Sequence, residues 1–355
     1  MHIGSLINKD EILESFYNLI KICQTSEINI LLISGDLFDS LEISQEYFNI
    51  VKNELRNTKI PVFISPGNHD PYIINTVYDT DWPENVHIFK SPKMSFCEIP
   101  EYKTRVYGAG FSDIYEPESL FKINNNLDNN FINICIIHGD IYNSQSKLYN
   151  DINLEDIKNS NFDYVALGHI HKRTEIQKIG NTWYAYSGSI MGLGSDELGD
   201  KGIYIGNISK NYCDLNFQKT CKRIYEKVFT DVTDSQSHDE IAQKIRESLE
   251  KFENNRQNLY EIYITGELPE ELIVNTNHIK DILKKDFEKI DIHDKTRVKI
   301  DIEKLKYRKD LKSIFVNKIL NKIKDIEEQE EQELYLNALK IGLRAFENEV
   351  FYNEN

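Results

Sequence analysis

Ile30-Leu31-Leu32-Ile33-Ser34-Gly35-Asp36-Leu37-Phe38-Asp39 is the stretch that decides the fold. Four apolar residues read as a short buried strand, and a polar loop opening on Ser-Gly-Asp follows at once. Upstream, Ile12, Leu13, Phe16, Leu19, Ile20 and Cys23 recur at helical spacing over 10–25. Downstream, a helical pattern over 43–57 precedes the apolar run Pro61-Val62-Phe63-Ile64, and Gly67-Asn68-His69-Asp70 follows that strand. The unit then recurs: 132–137 leads to His138-Gly139-Asp140, and 164–167 leads to Gly168-His169-Ile170-His171. With Met1-His2-Ile3-Gly4 at the start, five polar clusters stand in the first half of the chain. A sheet holds its strand ends in fixed relation, so loops beyond them can aim polar side chains at one point.

Further strands are expected at 105–109, 173–178, 183–186 and 202–206, with fewer helices between them. This predicts an α/β fold of two packed sheets with helices outside. From 221 the character changes. A strand over 224–232, a helix over 238–253, a strand over 259–265, a helix over 276–287 and paired strands near 289–302 describe a small α+β domain. The expected division is 1–220, 221–307 and a helical segment 308–355. In that segment Leu336, Leu339, Leu343 and Phe346 form an apolar stripe. Packing within the chain is the preferred reading of the stripe, and a partner-docking surface is the alternative.

Composition narrows the choices. The chain has 355 residues, is 40% hydrophobic and carries a formal charge of −16, which argues against a broad basic surface for non-specific DNA binding but leaves a local groove open. Five cysteines without CxxC spacing suggest neither a disulfide framework nor a zinc knuckle, and a reducing cytoplasm fits them. No signal-peptide pattern or membrane-spanning run is visible.

Five of the nine histidines lie in the five clusters. A pair of divalent ions can turn water into a nucleophile and neutralise charge on a phosphoryl group, and such a site needs a bridging carboxylate with neutral imidazoles and an amide oxygen. The sequence offers Asp36, Asn68, His138, His169, His171 and His2. Taken singly, each cluster could be turn chemistry. Their fixed order after strands makes the joint reading the stronger one.

On these motifs the chain resembles the calcineurin-like metallophosphoesterase superfamily, and within it the DNA-repair exonucleases of the SbcD and YhaO type. Gly-Asp-Leu-Phe-Asp and Gly-Asn-His-Asp favour that branch, as does the segment from Tyr186-Ser187-Gly188-Ser189 to Asp200-Lys201-Gly202. The resemblance implies a four-layer α/β/β/α sandwich with a capping domain and trailing helices. It implies two divalent ions, manganese being the first expectation, with Asp36 bridging, His2 and His171 on the first ion, and Asn68, His138 and His169 on the second. His69 would stabilise the phosphoryl transition state or protonate the leaving oxygen, a role that suits imidazole. Asp39 would accept a hydrogen bond from His69 and fix its tautomer, or else simply cap the following helix, a task for which Ser40 competes. His87 is expected to be structural, and His238, His278 and His293 to lie at the surface. Gly35, Gly67, Gly139 and Gly168 read as turn residues that allow close backbone approach.

The implied activity is hydrolysis of DNA phosphodiesters by a metal-bridged hydroxide, by a homodimer working with a coiled-coil ATPase of the SMC type on its C-terminal helices. The alternatives are a small-molecule phosphodiesterase or phosphatase, and a catalytically impaired DNA-binding subunit. The last follows from the N-terminus, where the family carries a strand and then Asp-x-His with the aspartate on the first ion. Here x is Met1. The preferred expectation is that the aspartate and its strand are encoded upstream, and the other is a truncated enzyme.

Overall fold

A computed structural model describes residues 1–122, 127–141, 148–269, 271–299, 305–307, 309–326 and 328–346. The chain divides into two compact units. One comprises Met1–Lys227 with Phe252–Glu261 and Asp286–Ile290, the other Val228–Lys251 with Ile262–Lys285 and Asp291–Asn355.

In the first unit, helix α1 (Lys9–Thr25) leads to strand β1 (Leu31–Ile33), and α2 (Gln45–Thr58) leads to β2 (Val62–Ile64). Ser44 caps α2 by accepting the Tyr47 N–H, and Lys59 ends it in the left-handed region. With β3 (Val86–Ile88) these strands form a parallel sheet in the order β1-β2-β3. Residues that alternate along a strand face opposite sides, and the core follows that parity. Leu31, Ile33, Val62 and Ile64 pack with Phe16, Leu19, Phe48 and Val51 of the two helices. Phe63 and Leu32 instead meet Val106, Ile136 and Ala166 of a second sheet.

That second sheet contains β4 (Ser95–Ile99), β5 (Thr104–Ala109), β6 (Ile132–His138), β7 (Tyr164–Gly168), β8 (Gln177–Ile179) and β9 (Thr182–Tyr186), in the order β4-β5-β6-β7-β9-β8. Its centre is parallel and its two edge pairings are antiparallel. The far face, with Cys135, Ile137, Val165 and Leu167, packs on Ile157 of α3 (Leu154–Ser160) and on Phe111 and Phe162. The layers are therefore helix, sheet, sheet, helix, as the resemblance implied. Between the sheets lies a cavity of about 440 Å³ whose lining runs from Leu32, Ile134 and Ala166 to His2, Asp36 and His138.

Two local expectations change. The strand at 173–178 is reduced to β8, because Tyr186 N–H donates to the Thr174 hydroxyl where a ladder would use a main-chain carbonyl. The strand at 202–206 is longer, β10 (Gly202–Ser209), and forms a hairpin with the unexpected β11 (Tyr212–Lys219). Asn211 at φ 60° supplies the left-handed residue that such a tight turn requires.

A further sheet has the order β12 (Tyr225–Asp231), β13 (Leu259–Leu268), β14 (Lys289–Val298). In place of paired strands near 289–302 the described residues contain the single strand β14, and 300–304 lie outside them. In the second unit α4 (His238–Leu249) and α5 (Thr276–Leu283) bury Ile241, Ile245, Leu249, Ile279 and Leu283. The last two helices, Leu311–Lys324 and Gln329–Phe346, pack Val316 against Leu339 and Leu343. The core of the apolar stripe is thus used within the chain. Among the described residues no helix is long and apolar enough to cross a membrane.

Candidate metal centre

The polar clusters sit at the carboxyl ends of parallel strands. β1 and β2 pair Ile33 with Ile64, so the loops that carry Asp36 and Asn68 leave the sheet side by side. β6 and β7 pair His138 with Gly168, which sets His169 beside His138. The N-terminal residues run along the first of these loops, with Ile3 bridged to Phe38 and His2 N–H bonded to the Asp36 carbonyl at 2.9 Å.

Two groups of side chains result, and they share one carboxylate. In the first, His2 Nε2 and His171 Nε2 are 2.9 Å apart, with Asp36 Oδ2 3.7 Å from His2 Nε2. In the second, Asn68 Oδ1 lies 2.9 Å from His138 Nε2 and 3.2 Å from His169 Nδ1, and Asp36 Oδ2 is 3.4 Å from His138 Nε2. His69 joins His2 and Asp36 in a cluster whose ligand atoms all lie within 4.8 Å of one another. Every residue expected to hold metal is therefore in one of two adjoining groups.

The protons decide what these groups can do. His138 Nδ1 faces the Ser34 carbonyl at 2.9 Å, and a carbonyl can only accept. Burial lowers the His138 pKa to about 4, so the ring is neutral and its one N–H is spent on Ser34. Its Nε2 lone pair then points at the Asn68 oxygen, acceptor to acceptor. His2 repeats the arrangement. Its pKa is about 4 through burial, Nδ1 faces Asp39 Oδ1 at 3.1 Å, and Nε2 opposes a ring nitrogen of His171 whose Nδ1 faces Glu197 Oε1 at 2.6 Å. Lone pairs converging beside an ionised carboxylate suit a cation. Burial alone would raise Asp36, but the positive charges of His138 and His2 in their protonated forms, with that of the N-terminal amine, outweigh it and hold the carboxyl down at about 2. The donor set fits two divalent ions sharing Asp36.

His2, Asp36 and His169 all occupy positive φ, at 58°, 49° and 101°, where non-glycine residues are uncommon and functional strain concentrates. Gly67 and Gly168 permit the close approach. A Cβ on Gly67 would lie 2.2 Å from Asp36 Oδ1, and one on Gly168 would lie 1.6 Å from the Ser34 carbonyl oxygen.

Asp39 differs from the expectation in which atom does the work. His69 Nδ1 meets the main-chain carbonyl of Asp39 at 2.9 Å, while the Asp39 carboxylate takes His2 Nδ1. The carbonyl still fixes the His69 tautomer with Nε2 as the free nitrogen, and the carboxylate orients His2 instead. Helix capping falls elsewhere, to Ser44.

Three residues escaped the sequence reading. Asp70 is fully buried and accepts the N–H groups of Asp36, Phe38 and Gly67 at 3.1, 3.0 and 2.9 Å, and the Tyr78 hydroxyl at 2.7 Å. It ties the two ligand loops together. Burial, reinforced by the Asp36 charge, raises its carboxyl to about 6. Glu197 and Lys201, within the segment that runs from Tyr186 to Gly202, reach back to His171. Asp70 stood in a quoted motif, but only its burial reveals its task, and Glu197 is 26 residues from its partner.

The comparisons agree with this geometry. Residues 1–173 match the calcineurin-like phosphoesterase family, and this part of the chain is a calcineurin-like metallophosphoesterase domain. The uncharacterized metallophosphoesterase YhaO of Bacillus subtilis is 28% identical over 255 residues, which cover 68% of this chain and 61% of YhaO. The DNA double-strand break repair protein Mre11 of Methanocaldococcus jannaschii is 26% identical over 262 residues, covering 67% of this chain and 69% of Mre11. The match thus spans less than two thirds of YhaO's length.

Proposed function

We propose that the chain is a metal-dependent nuclease that hydrolyses DNA phosphodiesters in repair, with two manganese ions held by His2, Asp36, His171, Asn68, His138 and His169. The observation that carries this reading is the convergence of imidazole and amide lone pairs on two points either side of one shared carboxylate. When bound, such ions would activate water and neutralise charge on the phosphoryl group. The chain's own residues do the rest. Asp39 and Ser34 hold His2 and His138 in the tautomers that present Nε2. His69, exposed and tied at Nδ1 to the Asp39 carbonyl, would act on the leaving oxygen through Nε2, donating a proton there in its imidazolium form.

The likeness to Mre11, a double-strand break repair protein, supports DNA as the substrate over a small diester. On the same reading the chain works in the cytoplasm as a homodimer with an SMC-type ATPase. Leu311, Ile314, Leu334 and Ile341, all exposed on the last two helices, support a partner surface there. The net charge of −16 favours the second reading, a small-molecule phosphodiesterase, since DNA gains little attraction from the chain as a whole.

One assay separates them. Purified protein with manganese is given linear duplex DNA and a chromogenic diester, beside a His69→Gln variant. DNA cleavage that chelation abolishes, and that H69Q slows by about 10²–10⁴-fold, is expected. Turnover of the diester with intact DNA under all conditions would sink the nuclease reading.

A further inference from the structure

His171 is the least buried member of the first ligand group. Its side chain is 33% exposed where that of His2 is 2% exposed, so packing does not set its ring. Something else must. Glu197 Oε1 contacts His171 Nδ1 at 2.6 Å, and Oε2 accepts the Ser189 hydroxyl at 3.1 Å and the Leu193 N–H at 3.4 Å. Lys201, 6% exposed, places Nζ 3.4 Å from the same Oε2 and donates to the His171 carbonyl at 3.1 Å. Ser189 N–H reaches that carbonyl too, at 3.2 Å. The segment from Ser189 to Lys201 therefore grips His171 at its ring and at its main chain.

We infer that Glu197 and Lys201 are positioning residues that lock His171 as the Nδ1–H tautomer and aim its Nε2 at the first metal. A carboxylate can only accept, so a neutral ring facing Glu197 must carry its proton on Nδ1 and keep the Nε2 pair for a cation. Lys201 holds the carboxylate from behind and fixes the backbone from which the ring hangs. The inference rests on the metal-centre reading above and adds two residues to it.

The test uses the full chain and the variants Glu197→Ala, Glu197→Gln and Lys201→Met. Ring ¹⁵N shifts of His171 are recorded on metal-free protein, and Mn²⁺ is then titrated calorimetrically. The Nδ1–H tautomer is expected in the parent chain and a mixture in E197A. One Mn²⁺ step should weaken about 10–100-fold in E197A and the other should hold. E197Q, whose amide oxygen still accepts from Nδ1–H, should keep the tautomer and recover most of the affinity. K201M should weaken the same step. An unchanged tautomer in E197A overturns the inference. So does equal weakening of both steps with a lower melting temperature of the metal-free chain, which would mark a merely structural role. A parent chain that takes up no Mn²⁺ while E197A still loses the tautomer would overturn the metal reading and leave the grip on His171 standing.

Discussion

The neutrality of His2 and His138 makes metal-free stability depend on acid in a calculable way. Both rings titrate near 6.5 when the chain is unfolded and near about 4 when folded. Between those values the unfolded chain binds more protons, so stability is complete above the unfolded value and falls as pH falls toward the folded one. At about pH 5 the loss is about 2 kcal/mol for each ring, and about 4 kcal/mol together. Asp70 works the other way. Its carboxyl, raised from 3.8 to about 6, contributes stability that is lost as pH rises through the folded value. Acidification therefore returns about 1 kcal/mol through it. The imidazoles win, leaving a net loss of about 3 kcal/mol. His169 and His87, also lowered by burial, act in the same direction as the pair.

The assay is urea unfolding of chelator-treated protein at about pH 7.5 and about pH 5, beside a His138→Gln variant. Glutamine keeps a polar side chain but cannot titrate, so the pH-dependent loss should shrink by about 2 kcal/mol whatever H138Q does to absolute stability. A free energy at the lower pH within about 1 kcal/mol of that at the higher would refute the reasoning. The same drop in H138Q as in the parent chain would place the titration on other groups.

Asp70→Ala strands three buried N–H groups and the Tyr78 hydroxyl at about 1–3 kcal/mol each, against about 3 kcal/mol relieved by removing a disfavoured carboxylate. A net loss of about 3 kcal/mol or more is expected from urea midpoints, and a loss under about 1 kcal/mol would deny that Asp70 ties the loops. Gly67→Ala puts a Cβ against Asp36 Oδ1, so calorimetry should show Mn²⁺ affinity down by about tenfold or more, and parent-like binding would contradict the close packing there. Leu339→Ala empties a fully buried position beside Val316 and should cost about 2–5 kcal/mol, read as faster amide exchange along Leu311–Lys324 and Gln329–Phe346.

Strand ends were legible because a short, mostly apolar run followed within three residues by a glycine in a polar cluster leaves little else to build. Parity within those runs even separates Leu31 and Ile33, which face helices, from Leu32, which faces the other sheet. Strand β11 could have been read too. Cys213, Leu215 and Phe217 alternate with more exposed residues, and Asn211 marks the turn before them. Other features had no local signature. A side chain's choice between an Asp39 carboxylate and an Asp39 carbonyl depends on a difference of a few ångströms in loop placement, and no spacing rule carries it. Glu197 lies in a loop without periodicity, and its partner is known only once the chain has turned back. Asp70 shows the same limit from the opposite side, since a carboxylate in a ligand motif looks like a ligand until its burial and four donors are seen.

These supports hold the ligand residues in an arrangement that is energetically poor without a cation between them. Three ligand residues at positive φ cost about 1–3 kcal/mol each, and facing lone pairs at 2.9 Å add repulsion. Left alone, the loops would relax by letting a ring rotate or a peptide flip. Asp70 prevents the second by holding the N–H groups of Asp36, Phe38 and Gly67 on one buried carboxylate. Asp39, Ser34 and Glu197 prevent the first by occupying Nδ1 of His2, His138 and His171. None of these four acceptors belongs to the ligand set first read from the sequence, yet each removes a route by which the lone pairs could turn away. The free energy of metal uptake is then spent on relieving repulsion rather than on assembling ligands, so binding should stabilise the fold strongly while moving its backbone little.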